Sequence, residues 1–255
     1  MKIGDIVILA DDPQPFLITY IGLGGICTLQ ALGTRLRIQA PSAALTPAVP
    51  ASVREQGRRF RQSIETKIAE ILAARPNTSH PARPGKVLHI DADEDYLRIC
   101  RQTYTRLSVP HACAAVLEAA QPTEIQALLD AHRPDILVLT GHDSLTNQED
   151  YQSSAHFAAA IRRARRYQPS TDGLAIIAGA CQSHFELLME SGANAASSPG
   201  RIRIHALDPL LLAEKLAYTP ITEHLEPRAL IQSAISGPRG IGALQTRGAL
   251  RLCLP

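Results

Sequence analysis

Three parts of the chain differ in the spacing of their apolar residues. Residues 1–46 contain short apolar runs separated by turn-forming residues, which predicts a set of short β-strands. Residues 47–84 contain one long segment with apolar residues at helical spacing, flanked by Pro-rich stretches, which predicts a linker and a connecting helix. In residues 85–255, continuous apolar runs alternate with amphipathic segments. This alternation predicts an α/β domain with a mostly parallel sheet covered by helices.

The first part is expected to form a small antiparallel barrel. Gly-rich and Asp-Pro turns separate four apolar runs, at residues 6–9, 16–21, 26–32 and 35–38. The opening segment, Lys2-Ile3-Gly4-Asp5-Ile6-Val7, is similar to the first strand of SH3-like barrels. We therefore predict a small SH3-like β-barrel module over residues 1–46. The helix that follows is expected over residues 52–74 and is interpreted as a connecting or packing helix.

The third part contains the strongest strand signals. Three continuous apolar runs predict strands buried on both faces, at residues 87–90, Ile136–Leu139 and Ala175–Ala178. Further strands are expected near residues 111–116 and 202–206, and helices near residues 94–107, 122–132, 151–167 and 182–191. Because ligands of open parallel sheets bind beyond the carboxyl ends of the strands, the residues after the three strong strands are the candidates for chemistry.

Cys181 and His142 follow two of these strands at equivalent places. Cys181 lies where a buried strand turns into a predicted helix, whose N-terminal dipole would favour the reactive thiolate. His142 follows the strand Ile136–Leu139 in the same way, so the two side chains can be neighbours in space. A His–Cys pair within hydrogen-bond reach can perform nucleophilic catalysis. The alternative is two unrelated residues, since a lone Cys on an apolar segment is usually inert core.

Composition narrows the classes of function. The hydrophobic fraction of 45% and the charged fraction of 20% are typical of a folded protein with a core. Lys plus Arg total 26 and Asp plus Glu total 24, a balance that argues against nucleic acid or an anionic membrane as partner. No apolar run approaches the roughly 18 residues that a membrane span needs. The five cysteines are odd in number and lack Cys-x-x-Cys spacing, so we expect no zinc site and no disulfide framework. The sequence contains no phosphate loop, metal-ligand cluster or nucleotide fingerprint, so we expect no cofactor.

Five blocks of the third part carry a specific resemblance. They are PGKVLHIDADEDYL, RPDILVLTGHD, AIIAGACQSHFE, SGANAASSPGRIRIHALDP and GIGALQTRGALRL. In their order, their spacing and their residues, the five blocks resemble the sporulation-specific cysteine protease family YabG. The resemblance implies a caspase- and gingipain-like fold and a thiol endopeptidase whose catalytic pair falls on His142 and Cys181. It also implies spore-coat and related sporulation proteins as substrates, in the cytoplasm of the sporulating cell or at the forming spore.

The same resemblance implies further site residues. The oxyanion hole would be formed by backbone N–H groups of Cys181, Gly141 and Asp143, where Asp143 stands in place of the Gly that follows His in the relatives. By analogy with such proteases, a substrate-binding pocket would be built from Asp91, Asp93, Gly179, Ser197, Ser198 and Asp208. Acidic groups there suit a basic side chain, so cleavage after Arg or Lys is expected, with Asp91 as the first candidate partner. The alternative for Asp93 is a simple cap of the following helix.

Two other functions are compatible with the sequence. Other Cys-dependent α/β hydrolases, of the amidotransferase or deglycase type, place Cys on a similar strand-to-helix turn. They generally have a second Gly soon after the Cys, whereas Gln182, Ser183 and His184 follow it here. A non-catalytic spore-assembly scaffold is the third reading, and a reactive Cys181 thiol in the native protein would argue against it.

Overall fold

The N-terminal part forms an antiparallel sheet of five strands. The computed structural model describes residues 1–34, 36–75, 81–145 and 150–253. The strands are β1 (Ile6–Leu9), β2 (Asp12–Ile21), β3 (Ile26–Ala31), β4 (Arg37–Pro41) and β5 (Leu45–Pro47). They lie in the order β4-β3-β2-β1-β5. The predicted fourth strand was expected to begin at residue 35, which lies outside the described residues, and β5 was not predicted. An antiparallel sheet is confirmed, and the SH3-like barrel remains a prediction.

A single long helix follows this sheet. Helix α1 (Pro50–Ala74) has 25 residues and begins with a Pro at its first turn, a position that needs no backbone N–H donor. The prediction of a helix over residues 52–74 is confirmed. Its buried residues Ile64 and Ile68 pack into a core cluster shared with the α/β part, so the second half of the helix is docked against that part.

The remaining elements alternate as predicted between residues 87 and 190, and those after residue 206 were not predicted. The strands are β6 (Ala82–Arg83), β7 (Val87–Asp91), β8 (His111–Ala115), β9 (Ile136–Leu139), β10 (Ala175–Ala178), β11 (Ala195–Ser197), β12 (His224–Leu225), β13 (Ile241–Ala243), β14 (Thr246–Arg247) and β15 (Arg251–Leu252). The helices are α2 (Glu94–Arg106), α3 (Gln121–His132), α4 (Ser154–Tyr167), α5 (Phe185–Glu190), α6 (Asp208–Tyr218), α7 (Pro227–Ile231) and α8 (Gly237–Gly240). Two short pairings, β12 with β14 and β15 with β6, complete the strand contacts.

The central sheet has six strands in the order β13-β11-β10-β9-β7-β8. Every neighbouring pair is parallel except β11 with β13, which is antiparallel. One face packs against α1, α2 and α6, and the other against α3, α4 and α5. The predicted mostly parallel sheet with helices on both faces is therefore confirmed, while the caspase-like detail remains a prediction.

One sequence prediction in this part is wrong, and two predicted helices are present but begin later than expected. Residues 202–206 form no strand, and His205 makes only an isolated bridge to Thr34. The helix expected near residues 151–167 begins at Ser154, because Ser153 and Ser154 are used as hydrogen-bond donors to a buried carboxylate. The helix expected near residues 182–191 begins only at Phe185 and has 6 residues, so the helix dipole expected beside Cys181 is not adjacent to the sulfur.

Within the ranges given above, no helix is long and apolar enough to cross a bilayer. The same residues contain no group of three or more His, Cys, Asp or Glu side chains arranged to hold a metal ion.

Candidate active site

The ends of β9 and β10 place His142 and Cys181 at matching positions. The two strands are parallel neighbours with Leu139 opposite Ala178, and the pairing continues with Gly179 N donating to Leu139 O at 3.0 Å. His142 is the third residue after Leu139, and Cys181 is the third residue after Ala178. Both residues therefore lie at the same level beyond the carboxyl ends of the two strands.

Asp143 ties the two turns together. Its Oδ2 accepts a hydrogen bond from Ser183 Oγ at 2.9 Å, and Ser183 Oγ in turn accepts from Ala180 N at 2.9 Å. Ser144 N and Ser153 N both donate to Asp143 Oδ1. Burial raises the pKa of Asp143, although the serine donors partly offset the effect. The side chain of Asp143 thus fixes the turns on either side of the candidate pair, and the proposed oxyanion role concerns its backbone N–H.

The backbone before His142 is held by a carboxylate that sequence reasoning missed. Glu118 Oε1 accepts from His142 N at 2.6 Å. A Cβ at position 141 would lie 2.5 Å from the same oxygen, so Gly141 is required for this close approach. Glu118 is 8% exposed. The sequence offered one signal for Glu118: it is the single acidic residue between the predicted strand at 111–116 and the predicted helix at 122–132.

The His142 ring meets Asp93. His142 Nε2 lies 3.1 Å from Asp93 Oδ2, with the two side chains 1% and 10% exposed. Asp93 is also the N-cap of α2, because its Oδ1 accepts from Asp95 N at 2.9 Å and Tyr96 N at 3.2 Å. The helix-cap alternative for Asp93 is thus observed, and it coexists with the contact to His142.

Asp91 lies directly behind this pair, at the end of β7. Its Oδ1 accepts from Asp93 N at 2.8 Å, and its Oδ2 accepts from Thr140 Oγ1 at 2.6 Å. The side chain is fully buried. Thr140 is the residue after β9, so the end of β7 is bonded to the segment that leads to His142.

Gly179 and Ser197 are in close contact beside Cys181. Gly179 has φ 104°, and a Cβ there would lie 3.2 Å from Ser197 Cβ. Ser197 Oγ is buried with no hydrogen-bond partner among the described residues. Ser198 Oγ donates to Ile202 O at 2.7 Å and accepts from Gln182 N at 3.1 Å, so this serine braces the turn after Cys181.

Asp208 lies in a different hydrogen-bond network. Its Oδ1 accepts from Ile235 N at 2.7 Å, and both of its oxygens lie near Ser236 N. Burial raises the pKa of Asp208, with the Ser236 and Ile235 donors acting in the opposite direction. The carboxylate holds the chain before α8 against the first residue of α6.

The N-terminal sheet covers Cys181. The thiol is fully buried and belongs to the same apolar cluster as Val7, Phe16 and Ile18 of that sheet. Ile204 N lies 3.4 Å from Cys181 Sγ, which places the mispredicted strand segment against the sulfur instead of in the central sheet. Leu36 is bridged to Asp143 in the turn that carries His142.

A second set of contacts joins the N-terminal sheet to the His142 side of the site. Gln30 Nε2 donates to Asp93 Oδ2. The hydroxyl of Tyr96, on α2, donates to Thr34 O at 2.9 Å and accepts from Gly33 N at 3.2 Å. The sequence contained no signal for this docking, because the contacts join residues far apart along the chain.

Comparison with known proteins now identifies the family. The family model described as YabG peptidase U57 matches residues 16–255. The chain belongs to the YabG family. The resemblance stated for residues 85–255 is confirmed, and the match extends it across most of the N-terminal sheet.

A relative of known name lies in this family. The Sporulation-specific protease YabG of Bacillus subtilis (strain 168) is 43% identical over 179 residues. That alignment covers 68% of this YabG-family chain and 62% of the relative, so the chain matches less than two thirds of the relative's length.

Proposed function

We propose that this YabG-family protein is a sporulation-associated cysteine endopeptidase with His142 and Cys181 as its catalytic pair. The observation that carries the proposal is the register of β9 and β10, which gives the histidine and the cysteine equivalent positions on adjacent parallel strands. Membership in a family described as a peptidase supports the reaction class. Neither residue needs a metal or a cofactor for this chemistry.

The proposed reaction is covalent acyl transfer. Cys181 gives its proton to His142, and the thiolate attacks the substrate carbonyl to form a C–S bond. The scissile C–N bond then breaks as His142 protonates the leaving amine. Water next attacks the thioester, with His142 taking its proton and returning it to the sulfur, so that enzyme and proton are both restored. Backbone N–H groups of Gly141, Asp143 and Cys181 are the proposed donors to the oxyanion.

Cleavage after Arg or Lys is proposed from the resemblance, with Gly179, Ser197 and Ser198 as the wall of the pocket. Asp91 is not retained as the partner of the substrate side chain, because it is fully buried and its two oxygens accept from Asp93 N and Thr140 Oγ1. Asp208 is left out of the pocket because its oxygens are bonded to the backbone near Ser236.

Substrate access requires a separation of the N-terminal sheet from Cys181. The sulfur is fully buried, so a polypeptide carbonyl cannot approach it while Phe16 and Ile18 stay packed in the same cluster. The N-terminal sheet therefore controls entry to the proposed site. A Cys181 thiol that reacts slowly with a probe in the resting protein is then compatible with catalysis. Thiol reactivity alone therefore does not distinguish an enzyme from a scaffold.

The proposed substrates are spore-coat and related sporulation proteins, processed in the cytoplasm of the sporulating cell or at the forming spore. The support is the similarity to a relative described as a sporulation-specific protease.

A peptide-cleavage experiment tests the proposal. The purified chain is incubated with a peptide library, and cleavage sites are mapped by mass spectrometry for wild type, Cys181→Ala and Cys113→Ala. Cys113 is the matched control, because burial raises the pKa of its thiol to about 11 and it lies on β8, away from the β10 end. We expect cuts after Arg that vanish only with Cys181→Ala. Cleavage by Cys181→Ala protein at the wild-type rate would contradict the proposal.

A further inference from the structure

We infer that Asp93 is a positioning residue for His142, holding the ring through Nε2 so that Nδ1 performs the proton transfers with Cys181. The inference rests on the proposed function, since it concerns the same catalytic pair. It gives Asp93 a role different from the substrate contact that the sequence suggested.

The Asp93 carboxylate is held in one orientation. Its Oδ1 is fixed by the first turn of α2, through Asp95 N and Tyr96 N. This leaves Oδ2 aimed at the ring of His142, at 3.1 Å from Nε2. A carboxylate anchored at a helix N-terminus cannot follow a moving ring, so it selects one ring position and one tautomer, with the proton on Nε2.

The charge of Asp93 suits this role. Burial raises the pKa of Asp93, but the hydrogen bond and the charge of His142, together with the Tyr96 N–H, outweigh burial and leave the pKa below its ordinary value. Asp93 is therefore ionised at neutral pH and can stabilise the imidazolium that forms when Cys181 loses its proton. Of the neighbouring charges, Asp91 accepts from the backbone of Asp93 and its charge acts to raise the pKa of Asp93, without reversing the net lowering, while Glu118 accepts from the backbone of His142.

The path of each proton defines the role of Asp93 during the reaction. The proton from the thiol goes to Nδ1 and then to the leaving amine, and the proton from water follows the same route back to the sulfur. The Nε2 proton stays between His142 and Asp93 throughout. Asp93 therefore never receives a proton and never touches the substrate.

The other contacts of the Asp93 carboxylate also point to positioning. Gln30 Nε2 of the N-terminal sheet donates to the same Oδ2 that faces His142. Separation of that sheet would remove Gln30 but leave Oδ2 facing His142 Nε2 and Oδ1 bonded to Asp95 N and Tyr96 N, so both oxygens stay occupied when a substrate guanidinium enters.

Three substitutions separate positioning from capping. Asp93→Ala removes both functions, whereas Asp93→Ser and Asp93→Asn keep a side-chain acceptor suited to an N-cap and lose the charge. Asp95→Asn is the matched control, since Asp95 lies on the same turn, pairs with Arg98 and is exposed. Melting temperature, kcat, KM and the pH profile of kcat/KM for an arginyl peptide are measured for each protein.

We expect Asp93→Ser and Asp93→Asn to melt within about 4 °C of wild type. Their kcat should fall on the order of 10²-fold while KM changes less than about threefold. The acidic limb of the pH profile should move to lower pH, because an imidazole that has lost its carboxylate takes up a proton less readily. Asp95→Asn should match wild type in all four measurements.

Four outcomes overturn the inference. If Asp93→Ser restores both the kcat and the melting temperature that Asp93→Ala loses, then Asp93 acts only as a helix cap. A loss carried by KM with kcat retained would make it a substrate-pocket residue. An active wild type whose Asp93→Asn variant keeps full kcat overturns the inference alone, whereas a wild type without Cys181-dependent cleavage overturns the proposed function as well.

Discussion

Ser183 Oγ donates a hydrogen bond to Asp143 Oδ2 at 2.9 Å, joining the turn after β10 to the turn after β9. Each residue lies close in sequence to a member of the candidate pair: Asp143 follows His142, and Ser183 comes two residues after Cys181. The bond therefore sets the relative position of the two turns without using the side chain of either candidate residue.

The buried Asp143 carboxyl should make folding stability depend on pH. Burial raises the pKa of Asp143 in the folded protein, so between the unfolded and folded pKa values the folded state binds more protons. This contribution to stability is complete below the unfolded pKa of about 3.9 and is lost as pH rises through the folded pKa.

The measurement is the free energy of unfolding of wild type and Asp143→Asn across the acidic range. The difference, wild type minus variant, should become smaller as the pH rises. A difference that grows with pH would mean that the folded protein prefers the ionised carboxylate.

Gly141 should tolerate no side chain. A Cβ would lie 2.5 Å from Glu118 Oε1, and that oxygen cannot retreat cheaply because it is buried and bonded to His142 N. We expect Gly141→Ala to lower the free energy of unfolding by about 1–3 kcal/mol. Gly57→Ala in α1 is the control, since its nearest atom is 3.8 Å away, and it should stabilise the helix by roughly 0.5–1 kcal/mol. Equal effects of the two substitutions on urea unfolding would contradict this account of the close approach.

The N-terminal sheet should protect the Cys181 thiol. Leu36 is 2% exposed and shares the cluster that contains Cys181. Leu36→Ala, made in a Cys253→Ser background to remove an exposed thiol, should speed alkylation of Cys181 as followed by peptide mass mapping. Leu129→Ala removes a buried leucine from the opposite core cluster, and both substitutions should cost about 2–5 kcal/mol. Equal alkylation rates in the two variants would show that general loosening, not loss of the cover, exposes the sulfur.

The parts of the fold that could be predicted were the strands and helices that local hydrophobic patterns determine. The apolar runs Ile136–Leu139 and Ala175–Ala178 became β9 and β10 with the predicted bounds, because short continuous apolar runs suit strands buried on both faces. The alternating apolar residues of segment 202–206 gave a false strand, because Ile204 instead packs against Cys181 and the N-terminal sheet.

The site was predictable only in outline. Strand-end reasoning indicated His142 and Cys181, and the resemblance agreed. The contact of Asp93 with His142 could not be read from the sequence, because it depends on the direction in which the N-cap of α2 points its second oxygen. The contacts of Glu118 and Gln30 were also missed. Each joins residues far apart along the chain, and local sequence patterns do not encode such contacts.

Covalent trapping tests the central claim, that Cys181 is the nucleophile of an arginine-directed peptidase. The native protein is incubated with an arginyl chloromethyl ketone, and the adduct is located by peptide mass mapping while residual cleavage is assayed. We predict one adduct, on Cys181, that forms in step with the loss of cleavage and is absent from Cys181→Ala. Complete loss of cleavage with Cys181 unmodified, or full modification of Cys181 with cleavage intact, would contradict the account.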